Sequence, residues 1–140
     1  MQLQSQEKLM KMNGDYLLDS NIIIDIFRGD AKAISRVKQL TAIHVSVITI
    51  GELYYGAKKS NQTPKRESEI EQLEEMVTIL NITGPTAKIY GQVKDQLRAK
   101  GRPIPENDIW IAATVMEHQL TLLTKDKHFE NVEGLVIEEF

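Results

Sequence analysis

Four carboxylates carry the most pointed chemistry this sequence can offer. Asp19 closes the apolar run Tyr16-Leu17-Leu18, and Glu52 follows Thr49-Ile50-Gly51. Asp108 comes after the loop Gly101-Arg102-Pro103-Ile104-Pro105, and Asp126 stands two positions beyond the apolar segment that ends at Thr124. Like charges within about 4–6 Å push one another's pKa upward, a cost that a bound divalent cation offsets. Oxygen donors with little nitrogen and no sulfur suit Mg²⁺ or Mn²⁺ rather than zinc. The chemistry these residues point to is capture of a hard cation, provided the chain brings them together.

The elements that must do so are legible as an alternation. Tyr16–Asp19, Ile43–Val47, Leu120–Thr124 and Leu135–Glu138 read as strands. Between them lie helical stretches: Ile22–Phe27, opened by Ser20 or Asn21 as a cap; Ala31–Leu40; and Thr49 to about Lys59. Lys65–Leu80 starts as a helix, and its end, Val77–Ile82, has an alternative as a strand. Gly84–Lys100 and Asn107–Gln119 complete the set. Crossovers of this length imply parallel pairing, and the fold expected is a three-layer α/β/α sandwich around a mostly parallel sheet. Ligands of such sheets sit beyond the carboxyl ends of the strands. Asp19 and Asp126 then project from that edge. Glu52 and Asp108 fall in the first turns of helices that start there, where the helix dipole favours their ionised forms. Each acid also has a local explanation. Thr49-x-x-Glu52 has capping-box spacing, Asp19 can cap a helix, Asn107-Asp108 can be a plain helix start, and Asp126 can sit in a turn between Lys125 and Lys127. None of these accounts for four acids on one edge.

Composition narrows the classes. The chain of 140 residues fits one domain, and 17 Lys+Arg against 20 Asp+Glu leave a formal charge of −3, so binding of nucleic acid has to rest on local chemistry. Two basic groups are available, Lys58, Lys59, Lys65 and Arg66, and Lys94, Arg98, Lys100 and Arg102. Either is an ordinary solvated face unless it flanks the acids, where it would hold a phosphate backbone. The absence of cysteine excludes a disulfide scaffold, a thiolate zinc site and a cysteine nucleophile, and suits a cytoplasmic protein. No apolar run approaches the roughly 20 residues of a membrane span. Residues 1–14 are polar and are expected to form a flexible tail, with Met10 and Met12 as alternative starts, ahead of a domain over 15–140. His44, His118 and His128 are scattered and receive no role. Ser46 is expected to cap a helix, and Trp110 and Tyr54-Tyr55 to pack in a core or an interface.

Leu17 to Phe27 (LLDSNIIIDIF), Val45 to Gly56 (VSVITIGELYYG) and Ile104 to Phe129 (IPENDIWIAATVMEHQLTLLTKDKHF) resemble the PIN-domain ribonucleases, and more closely the VapC-type toxins of bacterial toxin–antitoxin pairs. The likeness preserves motif order from Tyr16 nearly to the C-terminus; the N-terminal tail departs from it. It implies a PIN-like nuclease domain and a Mg²⁺-dependent endoribonuclease (Mn²⁺ as a substitute) that acts on RNA and is restrained by a cognate antitoxin. Asp19 and Asp108 would be the main metal ligands, Glu52 and Asp126 would complete the acidic site, and Asn21 and Thr124 would support it. It also implies a homodimer or a toxin–antitoxin hetero-oligomer, with Ile50, Leu53, Tyr54 and Trp110 expected to form the dimer patch. Two other classes remain open at this level: an inert PIN-like protein- or RNA-binding module, and a phosphatase or phosphoreceiver. Against the second, Asp19-Ser20-Asn21 lacks the further aspartate that haloacid-type phosphatases use.

Overall fold

The computed structural model describes residues 15–140; the expected tail over residues 1–14 lies outside the described residues. In chain order the elements are β1 (Asp15–Leu18), α1 (Ser20–Phe27), α2 (Ala31–Lys38), β2 (Ala42–Ser46), α3 (Val47–Lys59), α4 (Thr63–Met76), β3 (Thr78–Leu80), α5 (Gly84–Lys100), α6 (Glu106–Glu117), β4 (Thr121–Thr124), a 3-10 turn (Lys127–Asn131) and β5 (Ile137–Glu139). The strands form one sheet in the order β3-β2-β1-β4-β5, and every pairing is parallel.

The period-two alternation of strand side chains divides the core between the two faces of the sheet. Leu17 and Leu122 face α5 and α6, packing with Leu97, Ile111, Val115 and Phe129. Tyr16, Leu18, Val45 and Leu123 face the opposite way, against Ile22 and Ile23 of α1, Leu53 and Ala57 of α3 and Ile70 of α4. The expected three layers are therefore present. Leu17 and Leu122 are wholly buried, so truncating either to alanine costs about 2–5 kcal/mol.

Several boundaries differ from the sequence expectations for physical reasons. Helix α3 begins at Val47 because the buried Ser46 hydroxyl accepts the Ile48 N–H at 3.1 Å. Ser46 is thus the expected cap, but Glu52 moves from the first turn of its helix to the second, and Thr49-x-x-Glu52 is no capping box. Helix α1 is capped by Asp19, whose Oδ1 accepts the Ser20 N–H at 2.8 Å, rather than by Ser20 or Asn21. The stretch Lys65–Leu80 splits into α4 and the edge strand β3, the strand alternative for its end.

The strand order places a topological switch between β1 and β4. The chain runs outward from β1 through β2 to β3, then returns to the far side of β1 to lay down β4 and β5. The crossover loops leave β1 and β4 in opposite directions and open a crevice at their carboxyl ends. Leu18 pairs with Leu123, so the next residues of the two strands, Asp19 and Thr124, meet at that crevice.

Candidate active site

At the end of β1, Asp19 is almost fully buried, with 2% of its surface exposed. Its Oδ2 accepts the Thr124 hydroxyl at 2.7 Å and the Asn21 amide at 3.2 Å, while Oδ1 is held by the Ser20 N–H. The same Asn21 amide group donates to Asp126 Oδ2 at 3.3 Å, and the Asn21 carbonyl accepts the Lys125 N–H at 3.2 Å. Thr124 completes the frame, its hydroxyl oxygen accepting the Asp126 N–H at 3.0 Å. The residues expected to support the acids thus link the tips of β1 and β4 and tie Asp19 to Asp126. Beside them Lys125 pairs with Asp25 at 2.8 Å, which fastens the loop after β4 to α1.

Asp108, in the first turn of α6, accepts or shares a proton with His128 Nε2 across 2.8 Å. This contact was not read from the sequence. The two residues lie on different elements, and His128 reaches Asp108 only because its neighbour Phe129, fully buried, pins the 3-10 turn to the core. The sequence signal for it is modest: a histidine directly ahead of an aromatic residue and two positions after a candidate site acid.

Glu52 enters from α3. Its Oε1 is buried and has no hydrogen-bond partner, an expensive condition for a carboxylate oxygen. Burial raises its pKa; the Asn107 side chain offsets part of that, and the Asp108 and Asp19 charges add to it. Asp108 is raised by burial and then by Asp19, with His128 acting the other way. Asp19 is raised by burial foremost, against the lowering effect of the Thr124 and Ser20 hydrogen bonds, and Asp126 adds repulsion. Asp19 and Asp108 each feel the charge of Asp126, and Glu52 feels those of Asp19 and Asp108, so the four acids line one rim. Among the described residues no three acidic or histidine side chains stand together closely enough to hold a metal ion between them.

These observations test the fit of a divalent cation. The donors are carboxylate oxygens, the hard set that Mg²⁺ and Mn²⁺ prefer, and Mg²⁺ needs only one or two carboxylates because it keeps several waters. The orphaned Glu52 oxygen and the upward-shifted acids are what a cation would relieve. The residues fit the group.

Other expectations are corrected. Ile50 and Leu53 are core residues, 5% and 7% exposed, and not part of a surface patch, because α3 turns that side onto the sheet. Tyr54 donates to Glu74 across 2.8 Å. Trp110 stacks on Tyr90 at 3.9 Å between ring centroids, the packing role expected of it. Of the second basic group, Lys94 pairs with Glu106 and Lys100 with Glu133.

A parallel sheet with acids at its switch point defines the class, an α/β protein with its site at the carboxyl ends of the strands, and comparison with known proteins supplies the family. The chain belongs to the PIN domain family, whose model matches residues 16–135. A protein named Ribonuclease VapC2 from Haemophilus influenzae is 37% identical over 128 residues, which span 89% of this chain and 97% of that one. The tRNA(fMet)-specific endonuclease VapC of Shigella flexneri is 28% identical, over 89% and 97% of the two chains. Among solved structures, VapBC2 from Rickettsia felis bound to a DNA fragment from their promoter matches with a TM-score of 0.84 at 26% identity, over 89% of this chain and 98% of that one. VapBC-1 from nontypeable Haemophilus influenzae matches at 0.81 and 34% identity, over 89% and 96%. The resemblance to VapC-type toxins is thereby borne out.

Proposed function

We propose that this chain is an endoribonuclease of the VapC type, the toxin of a toxin–antitoxin pair, and that it cleaves RNA phosphodiester bonds with Mg²⁺, or Mn²⁺ in its place. Family membership supports the reaction class. The observation that carries the assignment to particular residues is the linked set Asp19–Asn21–Asp126–Thr124 at the β1/β4 switch point, with Asp108 and the unpartnered Glu52 oxygen beside it.

Asp19 and Asp108 are the principal ligands in this reading, and Glu52 and Asp126 complete the acidic set. A bound divalent cation supplies charge against the scissile phosphate and lowers the pKa of an attacking water. The chain's own residues do the rest. Thr124 and Ser20 hold the Asp19 carboxylate in one orientation through both of its oxygens. Asn21 keeps Asp126 facing Asp19 although both are acidic. His128 fixes one oxygen of Asp108. Such fixed dipoles and charges need no rearrangement as the reaction proceeds.

The working partner is a cognate antitoxin that covers the site, giving a hetero-oligomer, and the site of action is the cytoplasm. Among the described residues no helix is long and apolar enough to cross a membrane. The decisive experiment compares wild type with Asp108→Asn, which keeps the shape of the side chain and removes its charge. RNA cleavage with Mg²⁺ should disappear while the circular dichroism spectrum stays unchanged. Undiminished cleavage by purified Asp108→Asn would sink the assignment.

A further inference from the structure

We propose that Tyr90 of α5 is a positioning residue for Asp108: through Glu106 and Trp110 it sets the rotation of α6 about its own axis, and so the place of the Asp108 carboxylate on the rim. This deepens the endoribonuclease reading and rests on it. Helix α6 opens without a side-chain cap, because its N-cap is Pro105. Proline has no side-chain oxygen to hold the first free N–H groups, and an uncapped helix end frays. This same turn carries a principal acid of the site. Something other than a cap has to hold it.

The rim side of the turn supplies no independent hold. Asn107 bonds to Glu52, and Asp108 to His128, so both contacts are with groups of the site itself. The opposite side is fastened to α5. The Tyr90 hydroxyl donates to Glu106 Oε2 at 2.6 Å. The Tyr90 ring lies on Trp110, with 3.9 Å between centroids and 15° between planes.

Helical geometry turns these two contacts into a rotational setting. Glu106 and Trp110 are four positions apart, so they lie on one face, one above the other. At about 100° per residue, Asp108 is about 160–200° round the helix from both. One side chain of α5 thus grips α6 at two levels, on the face turned away from the rim. A hold at one level leaves the opening turn free to fray or twist; holds on two successive turns do not. Lys94 also reaches Glu106 and, at 3.3 Å, the Tyr90 hydroxyl. Its ion pair with Glu106 is about half exposed on both sides, and such pairs add little. The Tyr90 ring, half-buried against the core, carries the bracket.

The test titrates Mn²⁺ into the full chain by calorimetry, well below the melting midpoint, so that only folded protein is read. Tyr90→Phe removes the hydroxyl and keeps the ring; Tyr90→Leu removes the stack as well. Groups that orient a metal ligand directly are worth about 10–100-fold in metal affinity. Acting one step further out, Tyr90→Leu should weaken Mn²⁺ binding about tenfold and Tyr90→Phe about threefold. Glu106→Ala should match Tyr90→Phe. Glu106→Gln, whose carbonyl oxygen still accepts from Tyr90, should recover most of that loss. In RNA cleavage at saturating Mg²⁺, kcat should fall in the Tyr90 variants with KM unchanged. Trp110 is the only tryptophan of the chain, so its emission in EDTA reports the stack: Tyr90→Leu should change it and Tyr90→Phe should not. Glu133→Ala, which breaks another exposed ion pair of α5, should bind Mn²⁺ as wild type does.

Equal Mn²⁺ affinity in wild type and Tyr90→Leu would overturn the proposal and leave the enzyme assignment intact. So would a lower melting midpoint as the sole effect, which would make Tyr90 a packing residue. Should Tyr90→Leu fail to fold, Tyr90→Phe and the two Glu106 variants carry the test. A Glu106→Gln no better than Glu106→Ala would also overturn it, because the Tyr90–Glu106 bond would then not be the link. A wild type that neither binds Mn²⁺ nor cuts RNA would overturn both readings.

Discussion

At the scale of single residues, the site is a set of carboxylates held by neighbours that are themselves fixed. His128 is the partner whose loss should be most readable. A histidine 2.8 Å from a candidate ligand oxygen restricts how that carboxylate can turn, and removing such an outer partner costs about 10–100-fold in metal affinity or activity. We expect His128→Ala to weaken Mn²⁺ binding by that factor in calorimetry on the full chain, with His128→Asn recovering part of it. Identical titration curves for wild type and His128→Ala would make the contact incidental. The acids themselves were legible in the sequence because each follows a recognisable boundary: the end of an apolar run, a Pro-rich loop, a helix start. The His128–Asp108 contact was not, because it depends on how deeply Phe129 is driven into the core. That is a tertiary event with no local periodicity to announce it.

At the scale of elements, the boundaries that were legible are those with strong local chemistry. Helix α5 runs over the expected Gly84–Lys100 because Pro85 opens it and Gly101, at φ 67°, closes it in a left-handed conformation that glycine adopts without strain. The expected start of α3, Thr49, lies two residues late because β-branched Val47 reads as the last residue of the strand before it; what turns Val47 and Ile48 helical is the buried Ser46 cap. Ser46→Ala should therefore cost about 1–2 kcal/mol, seen as a lower thermal midpoint. A midpoint equal to wild type would show that packing alone starts the helix. The far end of the sheet offers a pH test. Glu138 of β5 accepts from Arg36 Nε at 2.6 Å and from the Tyr16 hydroxyl at 2.8 Å, tying the last strand to α2 and to β1. Burial and the Glu138 contact push the Tyr16 hydroxyl up to about 12. The Arg36 hydrogen bonds hold the Glu138 carboxyl below its ordinary value of 4.5. A carboxylate lowered in the folded state adds stability above its unfolded pKa, and that stability is lost as pH falls through the folded pKa. Glu138→Gln should thus destabilise the chain at neutral pH by about 1–2 kcal/mol, allowing for partial exposure. The deficit should shrink steadily below pH 4.5. A deficit that is constant across that range would assign the effect to packing.

At the scale of the whole molecule, the same topology that assembles the site also loads it with strain. One sheet, reversed in direction at β1 and β4, brings acids from β1, α3, α6 and the loop after β4 to a single rim. The pKa of Asp19, Glu52 and Asp108 is raised, chiefly by burial. A carboxyl whose folded pKa exceeds its unfolded one supports the fold fully below the unfolded value and loses that support as pH rises through the folded value. At neutral pH, without a cation, these groups therefore work against the fold. A cation that binds only the folded chain restores stability by mass action, about 2.7 kcal/mol at a concentration one hundred times its dissociation constant. Glu52→Gln removes one buried charge and keeps the side chain's shape. In EDTA at pH 7 it should melt higher than wild type by roughly 2–6 °C, the equivalent of about 1 kcal/mol for a chain of this size. Added Mg²⁺ should raise the wild-type midpoint and raise that of Glu52→Gln much less, so that the order of the two narrows or reverses. Cleavage should fall in the variant at every Mg²⁺ concentration. If Glu52→Gln melts lower than wild type in EDTA and responds to Mg²⁺ as fully, the buried oxygen is a structural anchor, and the trade of stability for cation binding does not operate at α3.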